Sequence, residues 1–237
     1  KFASTLSMSD DHILAIIYYT GDAVYSPMNA ALRSEDWKEV RWFVPYIKLL
    51  LKSLTMYVKA DSSRCQSFDI LYRGVKADLM SSLLQRDGNI TQWEFLSTSL
   101  RSKVGLQFAK GQSYIQILNG CGVDISDISM YADEEAEVLM LPSTEFQLLN
   151  VYRPVASSPF VHVDLKHVER NAPLKQPSSR DSIQTAVHQW ARDSPTINVL
   201  DAFSACFEWK APHALEQLLG PVRQVQIIFT QRQLVEP

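Results

Sequence analysis

The first 60 residues carry the hydrophobic pattern of helices. An apolar run over residues 13–18 follows Asp10 and Asp11, so either aspartate can cap a helix that is apolar nearly all round and largely buried. Ser26-Pro27 predicts a second helix start, because serine is a favourable cap and proline fits the first helical position.

A third helical region is expected over residues 36–57, where Pro45 should kink the helix or split it in two. From residue 68 onward, short β-forming runs alternate with turn residues, a pattern typical of strands. The predicted strands cover residues 68–75, 95–100, 113–118, 137–141, 145–152 and 160–168. Helices followed by a mostly β segment indicate an α+β fold rather than alternating βαβ units.

This pattern predicts three parts of the chain. We expect a helical lobe over residues 1–60, a β-rich core over 61–170, and a linker with a C-terminal extension over 171–237. The linker is expected at residues 171–180, followed by helices near 181–192 and 213–219 and a strand over 222–229. The role of the extension stays open: it is expected to pack on the core, contact a partner, or both.

Composition excludes several classes of protein. Apolar residues make up 46% and charged residues 21% of the chain, as in ordinary soluble domains. The net charge of −3, without a basic stripe, predicts no nucleic-acid partner. The apolar stretch over residues 42–51 is too short for a membrane span and is interrupted by Pro45 and Lys48. The three cysteines lack CxxC spacing, so no metal site is expected. A soluble protein, cytoplasmic or secreted, fits these features.

Arg73 stands in an apolar predicted strand, directly before Gly74. A buried guanidinium cannot lose its charge, so it needs an anionic partner or a bound phosphate. A structural ion pair and a phosphate site are both consistent with the sequence. Gly74 would allow a close approach to the backbone at this position.

A polar triplet, Ser97-Thr98-Ser99, occupies the next predicted strand. Strand alternation puts Ser97 and Ser99 on one face and Thr98 on the other. A polar edge strand explains the triplet as well as a functional site does, and no GxSxG motif surrounds either serine.

An acidic run leads into the strand at residue 137. Glu135 and Glu137 are two residues apart, so an extended chain would point both carboxylates the same way, which is unfavourable unless they share a task or a cation. No lysine or arginine occurs over residues 111–152, so the acids would attract a cationic substrate. A solvated acidic turn is the alternative.

Together, Tyr72-Arg73-Gly74, Phe95-Leu96-Ser97-Thr98-Ser99 and Glu135-Ala136-Glu137 resemble, in order and spacing, the motifs of arginine-specific mono-ADP-ribosyltransferases. The preceding helices, with the stretch 28–33, look like the helical lobe of the eukaryotic-type members. The resemblance covers residues 9–170. It implies an α+β fold in which a helical lobe precedes a mostly β catalytic core of two packed sheets that binds NAD.

The resemblance implies that ADP-ribose passes from NAD to a protein arginine with release of nicotinamide, through an oxocarbenium-like transition state. Glu137 would be the central catalytic residue, bonding the nicotinamide ribose and stabilising its developing charge. Ser97 would orient Glu137 and the ribose, while Thr98 and Ser99 shape the strand around the bound NAD.

The same resemblance assigns the remaining contacts. Arg73 would bind the phosphate side of NAD, the Gly74 backbone would hold the nicotinamide carboxamide, and Phe108 would stack on the nicotinamide unless it is a core residue. Glu135 would align the acceptor arginine and take its proton, and the loop with Tyr131 would dock the target.

The implied co-substrate is NAD, with NADP left open, and no prosthetic group or metal is expected. The implied partner is a target protein with an accessible arginine, besides any partner of residues 171–237. Two alternatives remain: an NAD glycohydrolase, which would need Glu137, Ser97 and Arg73 but tolerate loss of Glu135, and a non-catalytic module that binds NAD or a partner protein.

Overall fold

The computed structural model describes residues 8–85 and 88–168. The first half of this region is helical, as predicted. Its helices are α1 (Asp10–Thr20), α2 (Asp22–Ser34), α3 (Trp37–Val40) and α4 (Val44–Ala60), with short 3₁₀ helices at Arg41–Phe43 and Ser62–Arg64. The predicted linker, helices and strand after residue 170 lie outside the described residues, and the proposed three-part division of the chain stays a prediction.

Two predicted helix starts are wrong, and one predicted break is confirmed. Ser9 is the residue before α1, so Asp10 and Asp11 lie inside the first turn, where carboxylates favour the helix dipole. Helix α2 begins after Gly21 and contains Pro27, because the turn before the proline buries Val24 in the core. Pro45 stands in the first turn of α4, directly after the break in the third helical region.

The second half is mostly strand. Its strands are β1 (Cys65–Val75), β2 (Asn89–Gln92), β3 (Leu96–Ser99), β4 (Ser113–Asp124), β5 (Glu137–Met140), β6 (Thr144–Tyr152) and β7 (Val161–His167). Three helices interrupt them: α5 (Met80–Leu84), α6 (Ser102–Ala109) and α7 (Ala132–Glu135). The sequence pattern missed β2 and these three helices, all of which are short.

The strands are hydrogen-bonded in the order β1-β3-β5-β4-β7-β6-β2, and β1 also pairs with β4. All pairs are antiparallel except β4–β7. Because β1 pairs with both β3 and β4, the hydrogen bonds form a closed ring of four strands: β1, β3, β5 and β4. The other three strands continue the sheet from β4 in the order β7, β6, β2. The α+β class is confirmed. The strands expected to form two packed sheets are hydrogen-bonded into one seven-stranded sheet, in which the long strands β1 and β4 pair with each other.

Two hydrophobic clusters stabilise this arrangement. One joins the helices to the β core, since buried residues of α1, α2 and α4 pack with Phe95, Val123 and Leu139. The second lies within the β core, where Leu96 and Val138 of the short strands pack against Ile117 and Leu165. The helices thus pack on Phe95, directly before β3, and on Leu139 of β5; these two strands carry two of the three motifs. Among the described residues, no helix is long and apolar enough to cross a membrane.

Candidate active site

The residues singled out in the sequence converge on one cavity of about 320 Å³, a size suited to a small ligand. Strand register explains why. Tyr72 of β1 pairs with Ser99 of β3, and Ser99 pairs with Glu137 of β5, so the three motifs lie side by side. The predicted site residues that line the cavity are Arg73, Gly74, Ser97, Thr98, Ser99, Phe108, Tyr131, Glu135 and Glu137.

Glu137 is the most constrained of these residues. It begins β5 and is only 3% exposed. Ser97 donates a hydrogen bond of 2.6 Å from Oγ to Glu137 Oε1, and Ser129 donates one of 2.9 Å to Oε2. Each carboxylate oxygen is therefore held by a hydroxyl from a different part of the chain.

The electrostatic setting of Glu137 combines opposing effects. Burial raises the pKa of the Glu137 carboxyl, because the charged form loses its hydration. The hydrogen bonds from Ser97 and Ser129, and the nearby charge of Arg73, favour the carboxylate and lower the same pKa. Burial has the largest effect, so the net pKa is raised.

Arg73 projects from β1 toward β3. Its Nη1 donates a 2.7 Å hydrogen bond to the backbone oxygen of Ser97, which joins the first motif to the second. No ion pair of Arg73 with a carboxylate occurs among residues 8–85 and 88–168. Of the two alternatives left open by the sequence, a structural ion pair therefore has no partner in this part of the chain.

Gly74 is required for packing. A Cβ atom there would lie 2.1 Å from the backbone N of Ala109, 2.2 Å from the backbone O of Gly105 and 2.5 Å from the backbone C of Phe108. Helix α6 thus lies directly on β1. The resemblance implied that this position lacks a side chain because its backbone holds the nicotinamide carboxamide; in the structure it is the backbone of α6 that occupies the space a side chain would need.

The hydroxyls of the serine-threonine triplet have separate partners. Thr98 Oγ1 donates a 2.7 Å bond to the backbone oxygen of Val138 on the neighbouring strand. The Ser99 hydroxyl donates to the backbone oxygen of Glu135 and accepts a 2.9 Å bond from the N–H of Arg101. Ser97 contacts the Glu137 side chain, whereas Thr98 and Ser99 fix the backbone on either side of it.

The expectation that Glu135 and Glu137 share an extended segment is wrong. Glu135 ends helix α7, Ala136 is left-handed with φ 45° and ψ 58°, and Glu137 begins β5. Hydrogen bonds from the β3 end hold this turn: Leu100 N–H donates to the Ala136 oxygen at 3.1 Å, and Ser99 bonds the Glu135 oxygen. The turn, rather than strand alternation, is what places both glutamates at the cavity.

Two aromatic residues at the cavity are exposed. Tyr131, in the turn directly before α7, is 40% exposed, and Phe108 of α6 is 45% exposed. Phe108 is therefore not the core residue that was the alternative. Both rings lie where a bound ligand or a docked protein can cover them.

Sequence reasoning missed the contribution of the helices. Tyr19, Thr20 and Tyr25 line the cavity. Asn29, which is buried in α2, donates to the Phe95 oxygen at 3.0 Å and accepts from the Phe95 N–H at 3.2 Å. This double hydrogen bond fixes the chain just before β3. Tyrosine, threonine and asparagine occur in many ordinary helices, so no sequence signal marked these four helix residues as part of the site.

The described part of the chain contains no cluster of three or more histidine, cysteine, aspartate or glutamate residues that could hold a metal ion. The polar lining consists instead of hydroxyls, carboxylates and one guanidinium. Hydroxyls and a guanidinium are groups that bind phosphates and sugars.

Solved structures share this fold. HopU1 of Pseudomonas syringae pv. tomato DC3000 matches with TM-score 0.53 and 21% identity, over 66% of this chain and 76% of that chain. The toxin Vis of Vibrio splendidus, in complex with agmatine, matches with TM-score 0.53 and 20% identity, over 71% and 78%. The eukaryotic mono-ADP-ribosyltransferase ART2.2 matches with TM-score 0.50 and 23% identity, over 72% of each chain. The protein therefore has the ADP-ribosyltransferase fold.

Residues 1–172 match the family described as NAD:arginine ADP-ribosyltransferase, and the chain belongs to this family. The match covers all described residues and most of the sequence. A comparison with curated protein sequences gave no match. The family supports an NAD-dependent ADP-ribosyltransferase with NAD as co-substrate, as the three motifs predicted.

Proposed function

We propose that the protein is a mono-ADP-ribosyltransferase that transfers ADP-ribose from NAD to arginine side chains of target proteins and releases nicotinamide. The observation that carries this proposal is the pairing of two glutamates in one cavity: Glu137 is buried and held by Ser97, while Glu135 is partly exposed beside it. One carboxylate is placed to act on NAD and the other to meet an acceptor.

In the proposed reaction, the bond between the ribose C1′ and the nicotinamide nitrogen breaks, and its electron pair stays on nicotinamide, which leaves as a neutral molecule. The ribose becomes oxocarbenium-like. The Glu137 carboxylate, which is only 3% exposed and fixed by two hydroxyls, bonds a ribose hydroxyl and stabilises this positive charge.

Arg73, Gly74 and Phe108 would hold the NAD. The guanidinium of Arg73 is anchored by one nitrogen on the Ser97 oxygen, and its other N–H groups suit the phosphates of NAD. The Gly74 backbone lies at the cavity wall beside α6, where it would bond the nicotinamide carboxamide. The half-exposed ring of Phe108 would stack on nicotinamide.

Glu135 would select the acceptor. An arginine guanidinium has a pKa above roughly 12, so it must lose a proton as its nitrogen attacks C1′. The Glu135 carboxylate can pair with the guanidinium, align it and accept that proton before passing it to solvent. Vis, which shares the fold, was solved with agmatine, a guanidine compound.

The chain segment that carries Glu135 is acidic, since no lysine or arginine occurs over residues 111–152. The Arg101 guanidinium lies beside this segment, where its Nη1 donates to the Glu134 backbone oxygen at 3.1 Å, and the exposed ring of Tyr131 offers a docking contact. A target protein would present its arginine beside this acidic segment, and the ring of Tyr131 would pack against the target or its guanidinium.

The test uses purified protein, NAD and agmatine, with nicotinamide, free ADP-ribose and ADP-ribosyl-agmatine separated by chromatography. Agmatine adduct from wild type, reduced at least about 100-fold in Glu137→Gln, is the expected result, because the amide keeps the shape but loses the charge. Nicotinamide with free ADP-ribose and no adduct would indicate an NAD glycohydrolase. NAD binding without any turnover would indicate a non-catalytic module.

A further inference from the structure

Ser129 contacts the Glu137 carboxylate from the side opposite the Ser97 contact. It lies between β4 and α7, outside the three motifs, and is only 7% exposed. Its Oγ is 2.9 Å from Glu137 Oε2, whereas Ser97 contacts Oε1. The motif pattern had assigned the orientation of Glu137 to Ser97 alone.

The direction of this hydrogen bond is fixed by a third group. The backbone N–H of Tyr131 donates to Ser129 Oγ at 3.2 Å, so the Ser129 oxygen acts there as an acceptor. Its single hydrogen is then directed to the Glu137 carboxylate, which as an ion can only accept. Ser129 therefore links the backbone at Tyr131 to the carboxylate.

The turn that carries Ser129 is held on several sides. The N–H of Ser129 donates to the Ile125 oxygen at 2.9 Å, and the N–H of Met130 donates to Thr20 Oγ1 of α1 at 3.0 Å. Asp127 of the same turn forms an ion pair with Arg64 at 2.8 Å. These contacts fix the backbone on both sides of Ser129, so its hydroxyl is aimed at Glu137 before any ligand binds.

We propose that Ser129 is a positioning residue of the transferase reaction, which fixes Oε2 of Glu137 and keeps the carboxylate in its charged, reactive form. This inference rests on the proposed function. Through the Tyr131 N–H, the same hydroxyl connects the expected docking position of the target to the carboxylate that acts on NAD.

Other charged and titratable side chains also lie near the Glu137 carboxylate and affect its pKa independently of Ser129. The titratable and charged residues that line the cavity with Glu137 are Tyr72 and Arg73 of β1, Tyr19 of α1, Tyr25 of α2, and Tyr131 and Glu135 at the two ends of α7. Asp124 at the end of β4 accepts from Ser126, and Asp127 of the turn that carries Ser129 pairs with Arg64. Replacing Ser129 by alanine leaves all these charged groups in place; it removes the neutral donor to Glu137 and the acceptor of the Tyr131 N–H.

The sign of the effect follows from the chemistry. A hydrogen bond donated to a carboxylate stabilises its charged form, so removing the donor raises the pKa of Glu137. If the charged form is the active one, the acid limb of kcat/KM for NAD cleavage moves to higher pH. Hydrogen bonds to charged groups in proteins predict a shift of about one pH unit.

The experiment compares wild type, Ser129→Ala, Ser129→Thr and Ser126→Ala. Ser126 is the matched control, since it lies three residues away and its hydroxyl bonds Asp124, outside the cavity. The titration of Glu137 is followed by carbon-13 NMR of the glutamate carboxyls, with the signal assigned by its loss in Glu137→Gln. The pH profile of nicotinamide release is measured on the same proteins.

In Ser129→Ala we expect the titration midpoint and the acid limb of kcat/KM to move up together by about one pH unit, so that the loss of activity is about tenfold larger at low pH than on the plateau. Ser129→Thr should restore the wild-type profile, and Ser126→Ala should match wild type. An unchanged Glu137 titration in Ser129→Ala overturns the proposal, as does an equal loss of activity at every pH. If the Glu137 titration shifts in Ser129→Ala as expected but the wild-type protein cleaves no NAD, the proposed function is wrong.

Discussion

Gly74 and Ala109 meet backbone to backbone, with only 2.1 Å between the position of a Cβ at residue 74 and the backbone N of Ala109. This approach places α6 directly on β1. Because α6 carries Phe108 and β1 carries Arg73, the contact sets the distance between two walls of the cavity.

Gly74→Ala is therefore expected to force α6 away from β1. The atoms it meets are backbone and cannot rotate aside, so the free energy of unfolding should fall by about 2–3 kcal/mol, measured by urea denaturation. Gly21→Ala is the control, since the nearest atom to its Cβ is the flexible Met130 Sδ at 3.3 Å. Equal stability of the two variants would contradict the packing role of Gly74.

Arg73→Lys tests the anchored guanidinium. Lysine keeps the charge but cannot donate to the Ser97 oxygen and to NAD in one plane, so NAD affinity should fall about tenfold. Calorimetric titration with NAD in the Glu137→Gln background avoids turnover. Arg153→Lys in that background should bind as the parent does, because Arg153 pairs with Asp78 away from the cavity. Unchanged affinity in Arg73→Lys would remove Arg73 from the proposed NAD site.

The sequence predicted the cavity in part, and the reasons differ from residue to residue. Arg73 and Ser97 are polar residues in predicted strands and Glu137 ends an acidic run, but only the family resemblance of the three motifs assigned them to one site; in the structure, neighbouring strands bring them together. Ala136 could not be foreseen in a left-handed conformation, since alanine has no preference for it and contacts with β3 hold it there.

The contributions that were missed depend on tertiary packing. Tyr19 and Asn29 look like ordinary residues of buried helices, and only the docking of α1 and α2 on Phe95 brings them to the site. Ser129 is one serine in a turn, with no spacing that marks it. The short helix α6 offers too few turns for a clear periodicity, although it forms one wall of the cavity.

Glu137→Gln should be more stable than wild type at neutral pH while losing activity. Burial raises the pKa of Glu137 in the folded protein above its value in the unfolded chain. The protonated side chain therefore stabilises the fold below the unfolded-state pKa, and this stability is lost as pH rises through the folded-state pKa. Glutamine lacks the buried charge. The variant should gain on the order of 1 kcal/mol above the folded pKa and little at low pH.

Urea denaturation from pH 4 to pH 8 checks this expectation, and the exposed Glu134→Gln is the control without a buried charge. A Glu137→Gln variant that is less stable than wild type at neutral pH would show that the hydrogen bonds from Ser97 and Ser129 outweigh the cost of burial.

The most direct test separates the proposed roles of the two glutamates, in which Glu137 acts on NAD and Glu135 acts on the acceptor. Wild type, Glu135→Gln and Glu134→Gln are incubated with NAD and agmatine, and ADP-ribosyl-agmatine and nicotinamide are measured in the same samples. Glu134 is the neighbouring exposed glutamate, outside the cavity lining, and should behave as wild type. We expect Glu135→Gln to lower adduct formation at least about tenfold more than nicotinamide release, because the acceptor loses its base while Glu137 still acts on NAD. If adduct and nicotinamide fall equally, Glu135 positions NAD instead, and the account of acceptor choice is wrong.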